Sequence, residues 1–228
     1  KKHKILFHTD AVQATGNIPV DVKELGIDLM SMSSHKIYGP KGVGALYIRK
    51  GVRLHNFVHG GAQEKSKRAG TENIPAIVGY GKAAELAKEN MQNHVETLTR
   101  LRNKLIDGVL ERIPYTRVNG SLENRLPGNA NFAFQFIEGE GILLLLDMLG
   151  IAGSSGSACT SGSLDPSHVL LAIGLPHEIA HGSLRLTVGD FTTDDDIDYI
   201  LENLPKVIER LRSMSPLYDD AKKQGLVK

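Results

Sequence analysis

Short apolar runs alternate with helix signals up to about residue 91, and this alternation restricts the fold more than any other feature of the chain. Ile5–Thr9, Asp28–Ser33 and Gly44–Arg49 have the composition of strands, and Val20–Leu25 is typical of a short helix closed by Gly26. Such alternation predicts an α/β fold with a mostly parallel sheet covered by helices. Functional groups are then expected in loops at the carboxyl ends of the strands.

The pattern becomes helical from residue 74 to about residue 112. Apolar residues recur there at three- and four-residue spacing, which indicates one buried helix face: Leu98, Leu101, Leu105 and Val109. The stretch is too long for one ordinary helix, so we expect a break near Asn90–His94. We place the domain boundary there, with residues 1–91 in a large domain and residues 92–228 in a smaller one.

The smaller domain is predicted to be α+β. Its expected elements are strands Tyr115–Val118, Asn129–Ile137 and Gly182–Val188, and helices Gly141–Leu149, Ser167–Ile173 and a final one from Thr192–Thr193 to about Ser213. Acidic residues in the first turn of the final helix suit its dipole. Pro205 is expected to bend or split it.

Composition excludes several classes of protein. The formal charge of +1 gives no general drive toward nucleic acid or anionic membranes. No run approaches the roughly 18 apolar residues of a membrane span. No secretory signal is visible at the start, and we expect a cytoplasmic protein. The single cysteine, Cys159, excludes an intramolecular disulfide and a multi-cysteine metal site.

The segment from Met32 to Gly42 follows an apolar run and places hydroxyls, an imidazole and an amine in a row. Lys36 is either a surface charge or a nucleophile, because lysine amines form Schiff bases with carbonyls such as that of pyridoxal phosphate, PLP. Ser33 and His35 are residue types that could hold a phosphate beside it.

A carboxylate lies upstream of this lysine. Asp10 follows the first apolar run, either as a helix cap or as the partner that keeps a pyridine nitrogen protonated. Gln13, three residues on, could donate to the phenolic oxygen of the ring.

Three further segments leave alternatives open. Arg68 and Thr71 offer donors to an anion such as a phosphate, or belong to a solvated charged loop. Arg185 lies between apolar neighbours in a strand, where it pairs with an internal carboxylate or binds a substrate carboxylate. Cys159 lies in a Gly/Ser tract, which favours a reactive thiol on a mobile loop over a core cysteine.

A metal site is not favoured. His177 and His181 have the i, i+4 spacing of a helical metal pair but lack a clear third ligand.

Five segments in order carry a family resemblance: H-T-D-A-V-Q, S-S-H-K-I-Y-G-P-K-G-V-G-A-L-Y, R-A-G-T-E-N, S-S-G-S-A-C-T-S-G and S-L-R-L-T-V-G-D-F-T. The chain resembles the C-terminal two-thirds of the PLP-dependent cysteine desulfurases of the NifS/IscS type, within the class-V aminotransferase group. The resemblance implies a fold-type I PLP transferase: part of the large sheet domain, followed by the small domain with the cysteine loop.

The resemblance also implies roles for individual residues. Lys36 would bind PLP covalently and move the Cα proton. The cofactor's ring would contact Asp10 and Gln13, and its phosphate would contact Ser33 and His35.

Four more functions follow from the same resemblance. Thr71 would reach the phosphate of the other subunit's cofactor, which implies a homodimer with shared active sites. Arg185 would bind the carboxylate of L-cysteine. Cys159 would take the substrate sulfur as a persulfide and release L-alanine. The sulfur would pass to an iron–sulfur scaffold or another acceptor protein, and Cys159 could transiently ligate a nascent 2Fe-2S cluster there.

Two alternatives compete with desulfurase activity. One is selenocysteine lyase or another class-V transferase, which need not carry sulfur on a mobile thiol. The other is a truncated, non-catalytic fragment that keeps dimer or scaffold-binding surfaces, which the abrupt start at Lys1 suggests.

Overall fold

A computed structural model of the chain describes residues 3–155 and 166–227. The chain divides into unit 1, Lys1–Val95, and unit 2, Glu96–Lys228. Unit 1 contains a mixed three-stranded sheet, and unit 2 contains an antiparallel three-stranded sheet.

The sheet of unit 1 has the strand order β1 (His8–Asp10), β2 (Leu29–Ser33), β3 (Gly44–Ile48). β1 and β2 are parallel, whereas β2 and β3 are antiparallel. The link from β2 to β3, residues 34–43, is shorter than the dozen or so residues of a parallel crossover, so β3 must return antiparallel. The described part of the expected parallel sheet is therefore one parallel pair with an antiparallel third strand.

The helix predicted at Val20–Leu25 is wrong, because this segment forms a single turn. The Asp21 carboxylate accepts hydrogen bonds from the backbone amides of Lys23 (2.7 Å) and Glu24 (3.1 Å), which lowers its pKa. Gly26 then takes a left-handed φ of 67° and ends the turn. Side-chain bonds of this kind compete with helix propagation in so short a segment.

The predicted helix break near Asn90–His94 is confirmed. Helix α1 (Ile74–Glu89) ends at Asn90, and helix α2 (Met91–Arg112) follows directly. The side chain of Asn73 caps α1 by accepting from the amide of Ala76 at 3.3 Å. Before α1, the short turn Gln63–Ser66 has a positive φ at three residues, Glu64, Lys65 and Ser66, so it is not a regular α-helix.

Within its described residues, unit 2 contains the larger part of α2 and eight further elements. They are β4 (Thr116–Val118), β5 (Asn129–Phe134), α3 (Gly139–Asp147), α4 (His168–Ala172), α5 (His177–His181), β6 (Ser183–Thr187), α6 (Asp194–Ser213) and α7 (Pro216–Lys223). The strand order is β4-β5-β6.

One face of this sheet forms the main core. Its apolar side chains pack against the predicted face of α2, where Leu98, Leu101, Leu105 and Val109 are almost fully buried, so that prediction is confirmed. The sheet residues concerned are Ala130, Phe132, Phe134, Leu184 and Leu186. Because strand side chains alternate, the residues between them point to the opposite face. That face is partly covered by a small cluster of Ala133, Leu170, Leu175 and Ala180.

Pro205 lies inside α6, which runs unbroken from Asp194 to Ser213, so the predicted split is wrong. A proline has no N–H to offer the carbonyl four residues earlier, here Leu201. The guanidinium of Arg112, at the end of α2, donates to that carbonyl at 2.9 Å instead. A tertiary hydrogen bond therefore replaces the missing helical one.

The N-terminus of α6 is capped as its acidic first turn predicts. The Thr193 hydroxyl accepts from the Asp196 amide at 3.2 Å, and the Asp196 carboxylate accepts from the Thr193 amide at 2.8 Å. Asp194 forms a two-bond ion pair with Arg100 of α2, at 2.7 and 2.8 Å. That pairing lowers the pKa of Asp194 to about 2.

The opposite end of α6 is held by a buried arginine. Arg212 donates to the carbonyls of Gln135 and Tyr115, both at 3.3 Å. Its guanidinium carbon also lies 5.6 Å from the ring centroid of Tyr115 and 5.8 Å from that of Tyr218 in α7. Burial lowers the pKa of the guanidinium. This contact fastens both C-terminal helices to the sheet.

Candidate active site

Two candidate functional residues lie at or just past the carboxyl ends of adjacent parallel strands in unit 1. Asp10 is the last residue of β1 and pairs in register with Ser31 of β2. Lys36 lies in the 3-10 turn Ser34–Ile37 that directly follows β2. Because β1 and β2 are parallel neighbours, their carboxyl ends meet at one edge of the sheet.

The Asp10 carboxylate is oriented by its own turn. Its Oδ1 accepts from the amide of Val12 at 2.9 Å, and Oδ2 has no hydrogen-bond partner in residues 3–155 and 166–227. Ala11 beneath it is buried and donates its amide to the carbonyl of Ser31. Gln13 is exposed on the following turn. One carboxylate oxygen is therefore held by a hydrogen bond, and the other is unpaired among the described residues on an exposed side chain.

The turn that carries Lys36 is fixed by a buried serine. Ser34 is fully buried, and its amide donates to the carbonyl of Val43 at 3.2 Å. Gly39 closes the turn by donating to the Ser34 carbonyl at 3.1 Å, and a Cβ at Gly39 would overlap the Ser34 hydroxyl. His35 and Lys36 are consequently exposed, and the Lys36 amine bonds to none of the described residues.

Ser33 begins this turn as the residue before it. Its side chain makes no capping hydrogen bond to the turn, so the hydroxyl is not used as a helix cap. The structure thus brings Asp10, Gln13, Ser33, His35 and Lys36 to one edge of the unit 1 sheet.

The loop before α1 gives different surroundings to Arg68 and Thr71, the two residues that the sequence grouped as anion donors. Arg68 folds back and donates to the carbonyl of Ala69 at 2.7 Å. Gly70, at a φ of 109°, donates to the Gln63 side chain at 3.1 Å. Thr71 is exposed, and among the described residues it makes no hydrogen bond to the Lys36 turn.

Arg185 occupies the middle of β6 in unit 2. It is half-buried, and no carboxylate of the described residues forms an ion pair with it. Its backbone pairs with Ser154, since the Ser154 amide donates to the Arg185 carbonyl at 3.0 Å and the Arg185 amide donates back at 2.6 Å. Within the described residues, the first sequence alternative, an internal carboxylate partner, is absent.

Two asparagines beside Arg185 were missed by the sequence analysis. Asn131 of β5 is the register partner of Arg185, and the Asn119 amide donates to the Asn131 carbonyl at 2.8 Å. The Asn119 side-chain nitrogen Nδ2 donates to the Asn131 Oδ1 at 2.7 Å. A polar residue among the apolar ones of the predicted strand was the available signal, but only the register places it next to Arg185.

Cys159 lies outside the described residues. Its expected role as a cluster ligand therefore stays a prediction. Among the described residues, no group of three or more His, Cys, Asp or Glu side chains could hold a metal ion. His177 and His181 contact each other edge to face, with ring centroids 4.7 Å apart. Within the described part of the chain, no helix has both the length and the apolar character needed to span a bilayer.

The family model described as Aminotransferase class-V matches residues 1–200. The chain belongs to this family. Among curated proteins, this class-V aminotransferase chain is 61% identical over 222 residues to the cysteine desulfurase IscS of Clostridium botulinum, covering 96% of this chain and 56% of that protein. It is 57% identical to the IscS of Methanosarcina thermophila, covering 95% of this chain and 54% of that protein.

Solved structures agree with this family fold. The chain matches a NifS-like protein with a TM-score of 0.82 at 36% identity, covering 92% of this chain and 54% of that one. It matches a NifS-like protein from Rickettsia africae with a TM-score of 0.82 at 31% identity, covering 91% and 55%. The fold is therefore that of the NifS-like enzymes, fold-type I, as predicted. The chain spans a little over half the length of these curated relatives, rather than the two-thirds expected.

Proposed function

We propose that this class-V aminotransferase is a PLP-dependent L-cysteine desulfurase. One observation carries the proposal: an exposed carboxylate, Asp10, and an amine without a partner among the described residues, Lys36, lie at the carboxyl ends of two adjacent parallel strands. The identity to proteins named cysteine desulfurase IscS gives the proposal its substrate.

The residues of unit 1 fit PLP. The cofactor has a basic ring nitrogen, an aldehyde and a phosphate. Asp10 offers a free carboxylate oxygen for the nitrogen, Lys36 an amine for the aldehyde, and Ser33 and His35 donors for the phosphate. Gln13, one turn after Asp10, would donate to the phenolic oxygen. When bound, PLP supplies an electron sink that stabilises negative charge on the substrate Cα.

The chain's own residues would position substrate and move its proton. The Lys36 amine would take the Cα proton, because the turn that begins at Ser34 places Lys36 at the sheet edge. Arg185 would bind the L-cysteine carboxylate, since a guanidinium binds a carboxylate through two parallel hydrogen bonds. Its lack of an internal carboxylate partner among the described residues supports this role.

Cys159 would receive the sulfur. In the overall reaction L-cysteine and the Cys159 thiol give L-alanine and a Cys159 persulfide, which balances all atoms without an external oxidant. Ser154, five positions before Cys159, is backbone-paired with Arg185.

The partners belong to the same proposal. Thr71 would contact the phosphate in the partner subunit of a homodimer with shared active sites, and apolar side chains near its loop, Phe57, Ile74 and Val78, are exposed as a subunit contact requires. The persulfide would pass to an iron–sulfur scaffold or another sulfur acceptor in the cytoplasm. A 2Fe-2S cluster touched by Cys159 would be cargo of that transfer.

A matched lysine pair tests the cofactor assignment. Lys41 is exposed on the same link as Lys36. With added PLP, Lys36→Ala should lose the visible absorbance of the bound cofactor and all alanine formation, whereas Lys41→Ala should keep both. Equal behaviour of the two variants would contradict the role of Lys36.

A second variant tests the sulfur step. Cys159→Ser should retain the bound cofactor but form no persulfide and release no sulfide from L-cysteine. Normal turnover in this variant would refute the role of Cys159, and turnover of L-selenocysteine alone would favour the lyase. A protein that binds no PLP at all would favour the non-catalytic alternative.

A further inference from the structure

A row of polar side chains crosses the sheet of unit 2 beside Arg185. Directly opposed residues of antiparallel strands have their side chains on the same face. Asn119 is paired with Asn131, Asn131 with Arg185, and Arg185 with Ser154. These four side chains therefore share one face of the sheet. Phe132 and Leu184 point to the opposite face, into the main core.

The amide of Asn131 is held in one orientation. Asn119 is buried, and its backbone amide and side-chain Nδ2 both donate to Asn131, at 2.8 and 2.7 Å. The Asn119 carbonyl in turn accepts from the guanidinium of Arg125. Because Oδ1 of Asn131 accepts from Asn119 on the β4 side, the Nδ2 at the other end of the planar amide points away from Asn119. Among the described residues, that Nδ2 donates to no acceptor.

This pair carries a cost in stability. The Asn119 Oδ1 is buried and has no hydrogen-bond partner among the described residues. A buried acceptor left unpaired destabilises the fold, and native structures contain few of them. Asn119 leaves one buried oxygen unpaired and at the same time orients the Nδ2 donor of Asn131. We expect such an arrangement where that donor binds a ligand.

We propose that Asn131 is a second carboxylate-binding residue, which donates its Nδ2 to the substrate carboxylate beside Arg185, and that Asn119 positions it. This inference rests on the proposed function, which supplies an amino acid substrate. An oriented amide donor next to a guanidinium would donate a hydrogen bond to the planar carboxylate from a second direction. It adds specificity for the acid over uncharged analogues.

A pair of ligands that differ only at the carboxylate tests the proposal. L-Alanine and L-alaninamide are titrated into the holoenzyme by calorimetry. Asn131→Ala should raise the dissociation constant of L-alanine about tenfold, as expected for a lost hydrogen bond to a charged group, and leave that of L-alaninamide unchanged. Asn131→Asp keeps the shape and the acceptor for Asn119 but adds a negative charge, so its loss should be larger.

Asn129 provides the matched control. It lies on the same strand and face as Asn131, is similarly half-buried, and pairs with Thr187 instead of Arg185. Asn129→Ala should change both affinities less than about twofold, as substitutions outside a binding site do. Asn119→Ala should weaken L-alanine binding by less than Asn131→Ala, and the double variant should bind no worse than Asn131→Ala alone, because Asn119 acts through Asn131.

The two proposals fail differently. Equal losses for L-alanine and L-alaninamide in Asn131→Ala, or equal losses in Asn131→Ala and Asn129→Ala, would overturn the role of Asn131. Failure of the proposed function would appear instead in the unchanged protein, as no binding of L-alanine, or in Arg185→Ala, as unchanged binding of it.

Discussion

Two glycines in α1 give a controlled test of how the Lys36 turn is supported. A Cβ added at Gly79 would lie 2.6 Å from Cγ of Pro40, four residues after Lys36. A Cβ added at Gly81, two positions along the same helix, would meet no described atom within 4 Å. Replacing each by alanine therefore makes the same chemical change with and without a clash.

The magnitudes follow from these distances. Each alanine gains about 1 kcal/mol of helix propensity over glycine. Carbon atoms prefer separations of 3.5–4.0 Å, so at Gly79 the turn or the helix must move by about 1 Å. Overpacking of this kind costs about 1–3 kcal/mol. We expect Gly81→Ala to stabilise the protein, and Gly79→Ala to be less stable than Gly81→Ala by about 1–3 kcal/mol.

Thermal unfolding of the two variants measures this difference directly. For a chain of this size, about 2–4 °C in Tm corresponds to 1 kcal/mol, so Gly79→Ala should melt about 2–12 °C below Gly81→Ala. Since the clash displaces Pro40, Gly79→Ala should also retain less PLP on dilution than Gly81→Ala. Equal Tm values for both variants would refute the close contact between α1 and the Lys36 turn.

Three further predictions concern the stability of unit 2. Arg212→Met should lower the free energy of unfolding in urea by about 2–4 kcal/mol, because it removes hydrogen bonds to two carbonyls and the contacts with two aromatic rings; an unchanged urea midpoint would contradict this. Thr193→Ala should cost about 1 kcal/mol in the same assay by removing the cap of α6, while Thr193→Ser should cost less. The Asp194 pKa is lowered to about 2 by Arg100, so its stabilisation is present above the unfolded pKa of about 3.9 and is lost as pH falls toward 2. The Tm of the protein should therefore fall more steeply over that pH range than the Tm of Asp194→Asn, and high salt should reduce the difference.

Local patterns were sufficient for the residues at strand ends. Asp10 and Lys36 could be predicted because a polar residue directly after an apolar strand has few places to lie other than the sheet edge. The buried face of α2 followed from its spacing in the same way. Length decided the failure at residues 20–25, since a segment of one turn gains too little from helical hydrogen bonds to outweigh the side-chain bonds of Asp21.

Contacts between distant segments could not be predicted. The sequence around Pro205 predicted a disturbed helix. The arginine that donates to the Leu201 carbonyl lies on another helix, so the neighbouring residues gave no sign of it. Asn131 carried no distinct signal, because its proposed role depends on which residue of β6 lies opposite it. A shift of the strand register by one residue would turn its side chain into the core.

The sequence by itself determined the family, the places of Asp10 and Lys36 at the ends of apolar strands, and the position of Cys159 in a Gly/Ser tract, since these depend on residue types at short spacing. Only the tertiary structure decided that the Lys36 turn is fixed by the buried Ser34 and that Arg185 stands in a polar row with Asn131. The physical reason is that strand register and packing distances join residues far apart in the chain, and neither leaves a periodic trace in the sequence.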